Sequence, residues 1–527
     1  MKTILYSIAV LLATLCWSCY DDKGNYDYTP FDNIVIEGIS EQYQVQSFLD
    51  TLAIDVKVTP ENADYEYLWT INTAYQEMPS MGDGFLPDTI STERTLNRVI
   101  NYENGTYDLN LKVTDKNTGY AVHYNTTLVT QSAYSSGFYI LKETADGNTE
   151  IDLHTSEATL ADLLTENYGA PQAGTPTSMG LIFVYCHIDP ENGEYTAPRA
   201  LSVASGNEIN VYNLNDLSVI FSHDDMFYGE VPSNDTPLYL FPNNFIIGYL
   251  SNNGIFTNYQ NGMNIPSAGK FGLPLVMQNG CRPSKHAAYL YMNTYIFDEL
   301  NHRFLILDFN AGIHFFSEDP GEGVEQVVGS PNNIPESYEL LYFGSNTFAG
   351  NKCYAVFEDR DNPGQRYLYT LTLPDLYYYN NPITAIDKIP ADKQFNRATV
   401  FGNHESQANV LYYAVGDQAY YYGVGSKTEQ ALTLQGFEGG EITYIGNRYW
   451  TQEGVSDAFD YFVVATHQNG RYKVYMYNTV GGVPNGAPVR TLEGEGKVVK
   501  IHYNSPFMCN GTAGGNEADA NFYPCSF

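Results

Sequence analysis

The sequence predicts an all-β protein in which an immunoglobulin-like sandwich is followed by a seven-bladed β-propeller. Three observations carry that prediction. Short runs of alternating apolar and polar residues dominate, split by Pro, Gly, Asn and Asp, and helical periodicity beyond about two turns is confined to Ser156–Asn167. Trp69 stands among such runs between residues 33 and 131, where a sandwich keeps its core tryptophan. From residue 132 onward a hairpin of apolar strand, polar turn and tyrosine-rich strand recurs seven times.

The N-terminus comes first in chain order. Lys2 is followed by an apolar run from Ile4 to Leu15 and then by Cys16-Trp17-Ser18-Cys19. One basic residue before about a dozen apolar ones is a secretory leader, too short for a spanning helix. Cys19 follows the small Ser18, as lipoprotein processing requires, whereas Cys16 follows Leu15. Residues 1–18 are therefore expected to be a lipoprotein signal peptide and Cys19 the lipidated residue. Residues 19–32 form a polar tether that reaches roughly 40 Å when extended.

Residues 33–131 hold the strand-like runs NIVIEGIS, LAIDVKVTP, YEYLWTIN, GTYDLNLKVTD and YAVHYNTTLVT. Tyr107, Leu109, Leu111 and Val113 alternate, which buries one face of that strand. Trp69 is expected in the core.

Residues 132–527 are expected to form the propeller and a C-terminal tail. Aligning the second strand of each hairpin at Ile151, Ile209, Ile255, Ile313, Tyr367, Ala419 and Tyr472 gives intervals of 46 to 58 residues. A period near fifty fits one four-stranded blade per repeat, and a closed ring hides long strand edges. The segment PQAGTPTSMG at 171–180 and the tail after Tyr503 fall outside the repeat.

After Cys19 come Cys186, Cys281, Cys353, Cys509 and Cys525, without zinc-ligand spacing. Cys186 and Cys353 lie in apolar runs and read as core residues. Cys509 and Cys525 bracket a Gly/Asn-rich tail, where an extracytoplasmic bridge is open but its pairing is not fixed by sequence.

Acidic residues outnumber basic ones 61 to 26, for a net charge of −35. A chain so negative, without long Lys/Arg runs, excludes nucleic acid as a partner. No HExxH, GxSxG, P-loop or GxGxxG is present, and no cofactor is implied. His223-Asp224-Asp225 reads as a charged turn before a metal or acid/base group. Asp359-x-Asp361-x-x-Gly364 spaces oxygens like part of a calcium loop but lacks the terminal Glu, and reads as a hairpin turn. Among 61 acidic residues, no spacing selects a glycosidase pair. The reading is therefore not an enzyme but a binder. With 46 tyrosines available, rings in LYYYNN (376–381) and AYYYG (419–423), together with Tyr449 and Trp450, are candidates for stacking on an oligosaccharide or oligopeptide. Burial inside the sheets is the competing fate of each ring.

The decapeptide CYDDKGNYDY at 19–28 resembles the start of the PKD-like lipoproteins of Bacteroides-type bacteria. Asp21 and Asp22 resemble the acidic signal that sends such lipoproteins to the outer cell surface. The Gly-x-Tyr at Gly105 and Tyr107 is similar to the tyrosine corner of PKD folds, while Thr-Ile-Asn after Trp69 departs from their Gly-Asp-Gly turn. The resemblance implies a lipid-anchored outer-membrane protein facing the exterior, an accessory of a SusC/SusD-type TonB-dependent importer that captures an oligomeric nutrient. A propeller glycosidase or lyase, and a purely structural importer subunit, are the alternatives.

Overall fold

Alternation decides the N-terminal unit of the computed structural model. The structure describes residues 33–524 apart from 48–49, 74–86, 103–104, 183, 191–192, 194, 244–245, 261–267, 291–292, 321–326, 347–350, 373–377, 406–407, 451–457, 506–507 and 515–520. In Gly105–Asp115, Tyr107, Leu109, Leu111 and Val113 are buried and the residues between them are not. That strand pairs on one side with Ala121–Gln131 and on the other with Tyr65–Thr73, inside a five-stranded sheet completed by Gln42–Gln46 and Asp88–Ser91. Gln42–Gln46 runs parallel to its neighbour and the other pairings are antiparallel. Two short pairs, Thr51–Asp55 with Thr95–Val99 and Val35–Glu37 with Lys57–Thr59, contribute Leu52, Ile54, Leu96 and Val58 to the same core. Trp69 is fully buried there, and its Nε1–H donates to the Glu93 carbonyl at 3.0 Å. The Tyr107 ring folds back over Gly105, where a Cβ would lie 3.3 Å from it. That contact accounts for the Gly-x-Tyr pattern.

The rest of the chain forms a succession of small antiparallel sheets with propeller-like order. The first sheet takes its inner strand from the far end of the chain: Lys497–Asn504, then Gly137–Glu143, Thr149–His154 and Thr159–Leu160. The second runs Pro176–Ile182, Ala200–Ser205, Ile209–Asn213, Val219–Phe221; the third, Pro237–Asn243, Ile246–Ser251, Gly254–Tyr259. The fourth runs Pro283–Leu290, Asn293–Asp298, Arg303–Leu307, Ile313–Phe315; the fifth, Tyr338–Asn346, Lys352–Asp359, Arg366–Thr372, Ile383–Lys388. The sixth runs Val400–Asn403, Val410–Val415, Gln418–Gly423, Thr428–Ala431, and the seventh Glu441–Trp450, Phe459–Gln468, Arg471–Val480, Arg490–Glu495.

Each inner strand lies beside the inner strand of the next sheet, and that of the seventh lies beside Lys497–Asn504, which borders Pro176–Ile182. The sixth and seventh sheets approach closely at Gly402, where a Cβ would sit 2.1 Å from the Ile445 carbonyl oxygen. Only glycine fits there.

Three expectations need correction. The fourth hairpin of the repeat, ending at Ile313, joins the third and fourth strands of its sheet, whereas six of the seven hairpins join the second and third. The matching hairpin turns at Asn301-His302, where His302 takes φ 49 without a glycine, so the turn carries no obvious sequence mark. PQAGTPTSMG is not outside the pattern, since Pro176–Ile182 is an inner strand. The helical stretch reduces to one α-helix, Leu163–Tyr168.

Candidate functional site

The inner strands of four sheets end on asparagine: Asn243, Asn346, Asn403 and Asn504, all fully buried. An amide side chain both donates and accepts, so at a strand end it can tie one sheet to the backbone of another. Asn346 Nδ2 donates to the carbonyls of His404 (2.6 Å) and Ala408 (2.9 Å), and Asn403 Nδ2 to that of Ser345 (2.8 Å). Asn243 Nδ2 reaches the Leu307 carbonyl at 3.1 Å, and Asn504 Nδ2 the Ser135 carbonyl at 2.9 Å. Asn447, just before the end of the seventh inner strand, accepts from Glu405 N–H at 3.1 Å and donates to Asp460 at 2.6 Å.

Full charges gather at this end of the strands. Arg448 and Glu405, both buried, meet at 2.6 Å, and Arg448 Nε–H donates to the Ile501 carbonyl at 2.6 Å. The guanidinium thus joins the sixth, seventh and first sheets. His404 lies 3.9 Å from Asp460; burial pulls its pKa down, and the Asp460 charge pulls against that. Arg199, just before the second strand of the second sheet, donates to the Ser505 carbonyl at 2.8 Å, and burial lowers its pKa to about 10. It remains a cation at neutral pH.

A second polar chain crosses from the first sheet to the seventh. Lys142 Nζ stands 2.7 Å from both Asp152 and Asp162. Tyr472 donates to Asp152 at 2.6 Å, His154 Nε2 contacts the Tyr472 hydroxyl at 2.7 Å, and Thr159 contacts His154 Nδ1 at 2.9 Å. Burial pulls the Lys142 ammonium down, but Asp152 and Asp162 together hold its pKa above the usual lysine value. Burial lowers His154 to about 4. In both clusters acids and bases are tied to one another across sheet boundaries, joined in the second by the hydroxyls of Tyr472 and Thr159, an arrangement that orients sheets.

The stacking role expected of Tyr449 and Trp450 is corrected by their burial, at 6% and 1% exposure. Trp450 belongs to one apolar cluster with Tyr289, Met179 and Leu201, drawn from the inner part of the sheets. The strand that carries it is innermost, so its rings face other strands. The sequence missed Arg448 beside them and Glu405 forty-three positions earlier. A lone charge inside the apolar strand EITYIGNRYW was the signal that could have found it.

His223 is buried and pairs with Asp235 at 3.1 Å, while Asp225 takes a bond from Ser222 at 2.6 Å, so the triplet does not converge on a shared point. Asp359 accepts from the Asp361 N–H (3.1 Å) and the Asn362 amide (2.7 Å), a hairpin turn as expected. Among the described residues, no group of three or more His, Cys, Asp or Glu is placed to hold a metal ion, and no helix is long and apolar enough to cross a membrane. Tyr378 is 75% exposed, Tyr379 stacks on His314 at 4.0 Å, and Tyr420 stacks on Tyr413 at 5.2 Å. Cys186 and Cys353 are buried free thiols and Cys281 is a half-buried one. Cys509 lies on the strand Met508–Gly514. Cys19, Asp21, Asp22 and Cys525 lie outside the described residues.

Comparison with known proteins adds one sequence match. The PKD-like family matches residues 19–176. No curated protein matches the chain. Solved structures similar to it include a quinonprotein alcohol dehydrogenase-like protein from Bacteroides thetaiotaomicron VPI-5482, at 14% identity over 89% of this chain and 97% of that one, TM-score 0.34. A DUF4784 family protein from Bacteroides caccae ATCC 43185 is similar at 10% identity over 77% and 97%, TM-score 0.29. A streptogramin B lyase is similar at 11% identity over 62% and 98%, TM-score 0.31.

Proposed function

We propose that this chain is a non-catalytic surface lipoprotein in which a PKD-like sandwich carries a closed seven-bladed propeller that binds an oligomeric nutrient or an importer subunit. The observation that carries the reading is the PKD-like match, which starts at Cys19, the residue that the leader offers for lipidation. A shared region that opens on that cysteine supports removal of residues 1–18 and attachment of lipid to Cys19. Asp21 and Asp22 then sit where an export signal acts. The cyclic order of the seven inner strands supports the ring.

In this reading the lipid holds the tether, the sandwich of 33–131 is a spacer, and the propeller of 132–527 presents ligand-binding surface. Exposed rings such as Tyr228 and Tyr378 suit an oligosaccharide or oligopeptide. Anchoring beside a SusC/SusD-type pore raises local ligand concentration, so affinity of about micromolar order is enough.

Replacing Cys19 by Ala is expected to release the protein from the outer membrane, because one acylated cysteine is the attachment that this reading assigns. Retention of that variant would refute the anchor. Native pull-down of the lipidated protein tests the importer association. Mass spectrometry of glycans and peptides after incubation tests for turnover, and accumulating cleavage products would replace binding by catalysis.

A further inference from the structure

Three consecutive sheets carry an aromatic ring at the same corner, just past the end of the third strand. In the third sheet it is Tyr259, the last residue of Gly254–Tyr259, at 51% exposure. In the fourth it is His314, which follows the turn between Arg303–Leu307 and Ile313–Phe315. In the fifth it is the pair Tyr378 and Tyr379, between Arg366–Thr372 and Ile383–Lys388.

Hydrogen bonds and stacking join these corners into one row. The Tyr259 hydroxyl donates to the Asn310 carbonyl at 2.6 Å. Asp308 shapes the turn around Asn310: its Oδ1 accepts the N–H groups of Asn310 (2.8 Å) and Gly312 (2.7 Å), and its Oδ2 contacts His314 Nε2 at 2.7 Å. A Cβ on Gly312 would lie 2.7 Å from that Oδ2 and 2.8 Å from that Nε2, so glycine keeps the contact possible. The imidazole then lies flat on Tyr379, centroids 4.0 Å apart and planes within 11°. Tyr379 takes φ 44, a left-handed conformation that a bulky residue holds only under constraint. Its carbonyl is fixed by the Ser317 N–H at 2.8 Å. Tyr378, carried on this rigid backbone, stands 75% exposed.

Charge and polarity narrow what such a row can hold. No Lys or Arg occurs in 252–269, 304–351 or 371–387, while Glu318 and Asp319 are exposed. An anionic chain would be repelled here. Between the two exposed tyrosines lies Asn310, also exposed, whose amide both donates and accepts. Flat rings separated by an amide suit a ligand with an apolar face and a hydroxyl rim.

We propose that Tyr259 and Tyr378 are two stacking subsites for one neutral oligosaccharide, with Asn310 between them and the His314–Tyr379 stack as the fixed base of the second. This rests on the reading of the chain as a binder and selects glycan over peptide. Sheets packed about 10 Å apart put the third and fifth about 20 Å from each other, so a short sugar meets one subsite and an oligomer meets both.

Calorimetric titration of the full-length protein with cellohexaose, maltohexaose, xylohexaose and mannohexaose, and with the matching disaccharides, tests it. One hexasaccharide is expected to bind at least about tenfold more tightly than its disaccharide. Tyr259→Ala and Tyr378→Ala are each expected to weaken it about tenfold. Both rings are exposed, so thermal melting should not move. Tyr259→Phe keeps the ring and is expected to stay within about threefold of the parent. Absence of binding by all four hexasaccharides overturns the proposal, as does binding that neither alanine variant weakens. Equal affinity for disaccharide and hexasaccharide overturns the two-subsite span. A neutral hexapeptide that binds where no glycan does, and is lost in Tyr378→Ala, overturns the glycan class and leaves the binder. Cleaved hexasaccharide in the same samples, with both alanine variants still weakening binding, overturns the non-catalytic reading and leaves the subsites.

Discussion

The two parts of this chain handle charge in opposite ways. The sandwich buries Trp69, Leu109, Leu111 and Leu52 and keeps its ion pairs outside: the side chains of Arg94–Asp55 and Lys116–Asp64 are all at least 50% exposed. The sheets beyond it bury complete pairs, with Arg448–Glu405 and Lys142–Asp152 all at 2% exposure or less. A sandwich layer is fixed by strand pairing and apolar packing alone. Sheets that meet only face to face have no shared ladder to set their angle, and buried hydrogen-bonded pairs supply that specificity at a cost in desolvation.

The sharpest way to break this contrast is Glu405→Ala. It strands the Arg448 charge among buried groups and is expected to cost about 3–5 kcal/mol. Of Trp69 and Trp450, one reports on each part, so fluorescence-detected denaturation is expected to show the Trp450 transition moving and the Trp69 transition fixed. Equal movement of both would dissolve the distinction.

Trp69→Ala is the mirror experiment, with an expected loss of about 3–5 kcal/mol from the sandwich core. The transition reported by Trp450 should keep its midpoint. A fragment spanning 132–527 should show that same transition by itself.

Acid should separate the two parts further. His154 remains neutral in the fold down to about 4, whereas an unfolded histidine takes up its proton below about 6.5. Its contribution is complete above that value and is lost as the pH falls from about 6.5 toward about 4. Denaturation midpoints of the sheets are expected to drop between about pH 7 and about pH 5, and His154→Gln should flatten the drop. An unchanged slope in that variant would assign the effect elsewhere.

The smallest effect belongs to Arg94→Ala, expected at under about 1 kcal/mol because both partners are solvated. A loss comparable to that of Glu405→Ala would mean that exposed and buried pairs are equivalent in this protein.

Local pattern was legible and long-range pairing was not. Tyr107 to Val113 declared their buried face by alternation, and six hairpins were marked by polar turns. The fourth slipped by one strand because both FLILDF-NAG-IHFFS and its neighbour read as apolar hairpins, and the turn at His302 lacks glycine. Trp450 was visible as an aromatic at a strand end, but whether that end faced water depended on Tyr289 and Met179 in other sheets. Arg448 and Glu405 lie in different repeats, and neither signals the other along the chain.

The inner strand of the first sheet has a consequence for how the protein is made. Gly137 pairs with Asn504, 367 positions later. Closing a loop of that length costs on the order of 5 kcal/mol in chain entropy, recovered only when the final strand docks. A nascent chain emerges N-terminus first, so the sandwich and the middle sheets can form during synthesis while Gly137–Glu143 waits with an unpaired edge. A product terminated before Lys497 keeps that edge open. Closure of the first sheet therefore waits until Lys497–Asn504 has been made, and a chain ended before that strand is marked for self-association or proteolysis by the edge it leaves open.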